Sequence, residues 1–590
     1  MIWRAAFYAV DIKHNKALTY IPPLAFRAGR TAAQVEPRTM KKKFQVRWLR
    51  RVGPPVLAAL MAPIGAQAQV ADAGTPALAA PADAPRVQVD AFVVNGNTLL
   101  SQAALDAALA PYKGRRTLDE LKAAAAAVQK AYVEAGWGGV IAYVPPQHEL
   151  PGVVAIEVVE GHISRVVVLG NQRDSEAQVL RSVSRLQLGA TPEPRRVDAQ
   201  IALANQNPAR QTAVTLEPGA KPGEIEAHVT VTEQPERRWS VGVDNTGTRQ
   251  TGRLRANLGL QQAGLLGLDN TLELQAQLAP EKPGSVAVIS GDWRVPLYRA
   301  SLMADFIAAY SDVDGGTTST AAGPLQFSGK GHVLGVHLGG ALPRLGDLSQ
   351  RLTGAIDYRA YLNSCAIQGL PAGACGSAGA SVSVTPLSIE YALQWGGSNP
   401  LALQVSVASN SGLLGPHGNA ADFGAVRLGA PVAYTVVRLN GLAQIALPAH
   451  WQIQLRGAAQ GTADALVPGE QFGLGGANAV RGYEEREVTG DQAVLGSGEL
   501  RGPDLADLTG GALDHLQFLG FGDAGRVWNH LGAACLGTQL QCTLASAGVG
   551  ARLASSGWQL RMDLAQALKA GTLTARHRNF LHVQALYEFN

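Results

Sequence analysis

Charge is scarce in this sequence: only 16% of its 590 residues are Asp, Glu, Lys or Arg, against about 25% in an ordinary soluble protein. Four cysteines are too few for a disulfide-dense scaffold. There is no H-E-x-x-H, no G-x-S-x-G and no pair of carboxylates at catalytic spacing. The twelve histidines are scattered, and His577 and His582 have no useful ligand spacing. No catalytic residue, metal or cofactor is therefore expected. Gly520-Phe521-Gly522-Asp523-Ala524-Gly525 spells G-x-G-x-x-G, but it lies inside a strand pattern rather than between a strand and a helix, which argues against a dinucleotide site. Apolar runs of about 20 residues are missing as well, so a membrane-bound mature chain would have to cross as a barrel.

Glycine is abundant, at 67 residues. With so little charge, this suits a turn-rich β-protein or one whose outer surface meets lipid. The net charge of +4 misleads, because residues 1–68 alone carry +10 and leave −6 for the remainder. Nucleic-acid binding thereby loses its electrostatic support. Within 1–68, Met40-Lys41-Lys42-Lys43 opens a basic region, Val52 to Gly65 is apolar, and Ala66-Gln67-Ala68 is a small-x-small cleavage pattern. Residues 1–68 are read as leader and signal peptide, with Met40 as the true start or the first 39 residues as an extended leader. Residues 69–86 are an Ala/Pro-rich linker. Export to an oxidising compartment permits two local disulfides, Cys365–Cys375 and Cys535–Cys542, with free thiols as the alternative.

Residues 87–161 form one unit with the predicted order β-α-α-β-β. Its strands are Val87–Val94, Gly139–Val144 and Val153–Val159, and its helices run over Gln102–Ala110 and from Leu118 to Ala135, ending on Gly136. Val93-Val94-Asn95-Gly96-Asn97 returns as Val167-Val168-Leu169-Gly170-Asn171, which marks 162–235 as a second copy. From residue 236 the texture changes to alternation of period two. In Thr271–Leu278 the leucines oppose Glu273, Gln275 and Gln277; in Trp558–Leu564 the apolar set opposes Gln559, Arg561 and Asp563. Roughly sixteen such segments fit into 236–590, with short and long connections alternating, as in an outer-membrane barrel. Trp293, Tyr298, Tyr310, Tyr358, Trp451 and Trp558 are expected as an interfacial girdle. If the first strand rises from the periplasm, both cysteine segments are expected in even-to-odd outside connections. The predicted fold is thus an all-β transmembrane barrel of about 16 antiparallel strands preceded by two small α/β domains.

Val480-Arg481-Gly482-Tyr483, preceded by Gly473-Leu474-Gly475-Gly476, and the later Phe521-Gly522-Asp523-Ala524-Gly525 are the sharpest motifs. With them the chain resembles the two-partner secretion transporters, the haemolysin secretion/activation family of the ShlB/FhaC/HecB type. Val153–Gly161 and Asn207-Pro208-Ala209-Arg210 match its paired periplasmic POTRA domains. The resemblance implies that Val480, Arg481, Gly482 and Tyr483 sit on the sixth outside loop, folded back into the lumen, with Arg481 paired to Asp523 on the inner wall. Period-two geometry puts Phe521, Asp523 and Gly525 on one face, where Gly525 leaves room for the loop. Tyr587 and Phe589 serve as the C-terminal assembly signal although Asn590 follows.

The resemblance further implies export of a partner exoprotein carrying an N-terminal secretion domain, with or without its activation. The implied surroundings are outer-membrane lipid and, during biogenesis, the barrel-assembly machinery. The POTRA domains would lie in the periplasm. An assembly insertase of the same superfamily and a passive porin are the alternatives. The first usually carries three or five POTRA domains, and the second has no reason to carry two. The short, Pro-containing segment 69–86 is expected to hold no pore-plugging helix.

Overall fold

The computed structural model describes residues 85–147, 152–249, 251–320, 323–363 and 376–590. The expected leader and signal peptide and nearly all of the expected linker, with the expectation of no plug helix, lie outside the described residues, as do Cys365 and Cys375.

The first α/β unit runs β1 (Arg86–Asn95), α1 (Gln102–Leu109), β2 (Gly114–Thr117), α2 (Leu118–Ala135), β3 (Val140–Tyr143) and β4 (Gly152–Glu160). Its sheet has the order β2-β1-β4-β3, with β1 and β4 parallel. Local chemistry sets the helix ends. The Ser101 side chain accepts the Ala104 N–H to start α1. Thr117 and Glu120 form a reciprocal capping box on α2, and Gly136, at φ 100°, closes it. Leu105, Leu109, Ala124, Ala125, Val128 and Tyr132 from the helices bury against Val140, Ile156 and Val158 of the sheet. Strand β2 was not expected: Arg115 and Arg116 break any apolar alternation, and the strand exists by pairing with β1, Val89 opposite Gly114.

The second unit repeats the plan with β5 (His162–Leu169), α3 (Glu176–Ser182), α4 (Pro194–Ala204), β6 (Arg210–Pro218) and β7 (Glu224–Glu233), in sheet order β5-β7-β6. The duplication reaches single atoms. Gly96 and Gly170 both have positive φ, and a Cβ on either would come within 2.2 and 2.3 Å of the carbonyl oxygens of Val158 and Val231. Only glycine fits such an approach. Behind each turn a carboxylate accepts the freed N–H groups. Glu160 takes those of Thr98 and Leu99 at 2.7 and 3.1 Å. Glu233 takes those of Gln172, Arg173 and Asp174 at 3.0 Å.

The remainder is a closed antiparallel barrel of sixteen strands, counted here from Arg237–Asp244 (one) to Asn579–Phe589 (sixteen). Strand eight is interrupted at Thr385. Closure pairs strand sixteen with strand one, Tyr587 opposite Val241 and Phe589 opposite Trp239. The alternation sorts the faces: Leu274 and Leu278 are exposed outward, while Thr271 and Gln277 are buried inward. Inside, Gln261 donates to Glu273 at 2.7 Å and Gln277 to Asn257 at 2.9 Å.

Among the described residues, the second α/β unit bonds to one end of the barrel, through Gly267, Asp269, Tyr298 and Arg351. That end is periplasmic, so strand one rises outward and the odd-to-even connections are the outside ones. The even-to-odd numbering expected for the cysteine segments is therefore corrected: they join strands seven to eight and thirteen to fourteen. Cys535 and Cys542 form a disulfide, with Cα atoms 6.1 Å apart. Among the girdle candidates, Trp293, Tyr310, Trp451 and Trp558 are exposed on the outer face. Tyr298 is not a girdle residue; its hydroxyl turns to Asp269, 2.8 Å away, beneath the second α/β unit.

Candidate functional site

The connection between strand eleven (Gln452–Gly461) and strand twelve (Gln492–Arg501) is the sixth outside loop. It carries its own small hairpin, Phe472–Leu474 paired with Val488–Gly490. Gly475 and Gly476, at φ 104° and 105°, turn the chain below it, and a Cβ on Gly475 would come within 2.5 Å of the Glu484 carbonyl oxygen. The tip that follows packs against the inner wall. Val480 and Leu474 are fully buried with Leu495, Val527, Leu544 and Ala567 of the wall strands.

Arg481 is 1% exposed. Its Nε and Nη2 donate to Asp523 Oδ2 and Oδ1 at 2.7 and 2.8 Å, a bidentate pair, and its backbone N–H adds a third bond to the same carboxylate at 3.1 Å. Nη1 donates to Glu499 at 2.7 Å, and Asp563 lies 3.6 Å away. The guanidinium covers the Phe521 ring, 3.4 Å from its centroid. Gly525 supplies the room: a Cβ there would come within 2.7 Å of Leu474. Gly482, at φ 90°, donates its N–H to His582 Nε2 at 2.9 Å. Tyr483 is buried, with its hydroxyl 2.8 Å from the carbonyl oxygens of Ala545 and Lys569. The structure thus brings Val480, Arg481, Gly482, Tyr483, Phe521, Asp523 and Gly525 together. Tyr587 and Phe589 lie apart from them, at the closing seam, where their rings stack 5.6 Å apart.

Sequence reasoning missed Ser497, Glu499, Asp563 and His582. Ser497 donates to Asp523 at 2.6 Å, and Arg552 and Arg561 hold Asp563 at 2.9 and 2.8 Å. Their signal was parity. Ser497 stands opposite Asp523, Glu499 opposite Phe521 and Asp563 opposite His582, all on the polar face. Wall arginines also hold the loop's backbone: Arg561 donates to the Ala477 carbonyl at 3.1 Å and Arg456 to that of Ala479 at 3.3 Å.

At the periplasmic mouth, Arg210 is 1% exposed and joins Asp174 of its own unit at 2.9 Å to Asp269 of the barrel at 2.6 Å. Two opposite charges flanking a desolvated guanidinium fix the second α/β unit to the connection between strands two and three. Among the described residues, no group of three or more His, Cys, Asp and Glu could hold a metal ion.

Comparison with known proteins gives a consistent result. The family model described as haemolysin secretion/activation protein ShlB/FhaC/HecB matches residues 225–553, and the ShlB-type POTRA domain model matches 87–161. The outer membrane transporter CdiB of Escherichia coli is 28% identical over 314 residues, covering 50% of each chain. The CdiB of Dickeya dadantii is 25% identical over 177 residues, covering 30% of each. The chain thus spans about half the length of the curated relatives it matches. Among solved structures, CdiB from Escherichia coli superposes with a TM-score of 0.70 at 20% identity, covering 87% of this chain and 93% of that one. CdiB from Acinetobacter baumannii gives 0.65 at 14% identity, covering 86% and 91%.

Proposed function

We propose, for a chain that belongs to the haemolysin secretion/activation protein family ShlB/FhaC/HecB, that its outer-membrane barrel is the pore through which an unfolded partner exoprotein leaves the cell. The observation that carries this reading is the loop lodged in a polar lumen by the Arg481–Asp523 pair, above two periplasmic α/β units. A passive pore needs neither feature. The outward apolar face meets lipid, with Trp293, Trp451 and Trp558 at its margins.

The periplasmic units supply recognition. Strand β6 is an edge of its sheet; the Asn205 side chain occupies the Thr212 N–H and carbonyl there, and the edge beyond it is where an extended segment would add as a further strand. The partner then passes the polar lumen as an unfolded chain and folds outside. Its folding outside supplies the direction, because neither ATP nor an ion gradient is at hand at the outer membrane. The Arg481 loop is a gate or brace on that path. We read Tyr587 and Phe589 as the mark recognised by the barrel-assembly machinery.

The test compares Arg481→Ala and Asp523→Ala with the parent in cells that express the partner exoprotein. Each variant should lower the amount of partner at the surface while most of the barrel stays in the outer membrane. Normal export from both variants would remove the pair from the mechanism.

A further inference from the structure

A second cluster of buried charge lies in the lumen, away from Arg481, and the motifs do not include it. Glu470 stands at the neck of the sixth loop and is 3% exposed. Its carboxylate accepts from Arg359 Nη1 at 3.0 Å and from the Tyr361 hydroxyl at 2.8 Å, both on strand seven (Leu348–Leu362). It accepts from Arg438 Nη2 at 3.3 Å, on strand ten (Thr435–Ala446). Its backbone carbonyl accepts from Gln460 at 3.2 Å. Gly469 fits flat against the wall: a Cβ there would come within 2.4 Å of the Tyr361 ring. Behind Arg359 the wall is braced in turn, with Asp357 at 2.7 Å and His337 2.9 Å beyond it.

The two clusters grip different arcs of the wall. Arg481 and Gly482 reach strands twelve, thirteen, fifteen and sixteen. Glu470 reaches strands seven and ten. In a ring of sixteen, strand seven faces strand fifteen. A loop bonded at one wall can swing aside on its neck; a loop bonded at both cannot clear the lumen while both hold.

We propose that Glu470 is the second anchor of the lumenal loop, so that the loop is a strut across the pore and its opening requires release at Glu470 as well as at Arg481. Glu470 is a positioning residue: it acts on the path through the loop. The proposal deepens the export reading, but it predicts a property of the pore that holds whether or not a partner passes.

The test records single-channel currents from the full chain in a planar bilayer, for the parent, Glu470→Gln and Gly469→Ala. Glu470→Gln removes the charge; Gly469→Ala pushes the neck off Tyr361 and leaves every charge in place. Losing one partner of a buried ion pair is strongly destabilising, so the time spent in the large-conductance state should rise by about tenfold or more in Glu470→Gln, and it should rise in Gly469→Ala as well, where the added methyl group meets the Tyr361 ring. Glu470→Asp should restore part of the closed time, and adding Arg481→Ala to Glu470→Gln should open the pore further than either alone. Currents like the parent's in both single variants would overturn the proposal. So would loss of the heat-modifiable barrel in both, which would make the neck a folding determinant instead. Parental export with opened currents would leave the anchor standing and count against the loop as an export brace; lost export with parental currents would reject the anchor alone.

Discussion

Arg481 illustrates how much a single residue asks of its surroundings. Removing a guanidinium from water costs several kcal/mol, and that cost is offset here only because Asp523, Glu499 and Ser497 all accept or supply hydrogen bonds around it. Arg481→Ala leaves Asp523 without its ion-pair partner, while Glu499 keeps Arg501 at 2.7 Å, a loss of about 3–5 kcal/mol from loop seating. Arg481→Lys should rescue little, since an ammonium cannot make the bidentate contact. Limited proteolysis of the loop in intact cells would register both, with faster cleavage than in the parent. Arg481 and Asp523 were legible in the sequence because each sits in a short motif. Glu499, Asp563 and His582 were visible only as polar positions in alternating strands, and alternation tells the face of a side chain but not its partner. Glu160 gives a pH prediction on the periplasmic side. Burial alone would raise its carboxyl, but bonds from the Thr98 side chain and N–H, the Tyr132 hydroxyl and the Leu99 N–H outweigh it and hold it below the usual glutamate range. A depressed folded pKa contributes stability that is present above the unfolded value and lost as pH falls through the folded one. The first α/β unit should therefore loosen on acidification below about pH 4.5, followed by hydrogen exchange of β1 and β4 in the full chain. Glu160→Gln should be weaker at neutral pH and lack this acid step.

At the scale of elements, the repeated turn is the strongest constraint. Gly96→Ala and Gly170→Ala each place a methyl group against a carbonyl oxygen in a left-handed backbone conformation, costing at least about 1–2 kcal/mol. Exchange should speed up in the strands of the altered unit and not in the other. The Gly-Asn repeat was readable at once. The carboxylates behind it, Glu160 and Glu233, were harder to find, because their spacing falls one residue short of the spacing between the two glycines. Strand β2 could not be found, because its four residues have no pattern of their own and form only against β1. Tyr298 misled for a similar reason. An aromatic at a strand end suits a lipid interface, yet Asp269 and Arg210 claim this one for the domain contact. Arg210→Ala leaves Asp174 and Asp269 without their common partner, about 3–5 kcal/mol. The second unit should then detach from the barrel, seen as a larger hydrodynamic radius in detergent with the barrel intact.

Over the whole molecule, low charge, two α/β repeats and sixteen alternating segments were enough to place the barrel, because closure and face alternation are properties of the pattern rather than of any one residue. The path of the sixth loop across the lumen was legible at Arg481 only; the grip of Glu470 on strands seven and ten depends on the curvature that brings distant strands face to face. The central claim is that another polypeptide passes through this lumen. A photo-cross-linking residue in place of Gln404, on the polar side of the strand Leu401–Asn410, tests it in cells that are exporting the partner exoprotein. Cross-links between the barrel and the partner in transit, absent when the photo-cross-linker replaces the outward Val407, are the predicted result. A partner that reaches the surface with no lumenal cross-link, and does so equally in cells lacking the barrel, would contradict it.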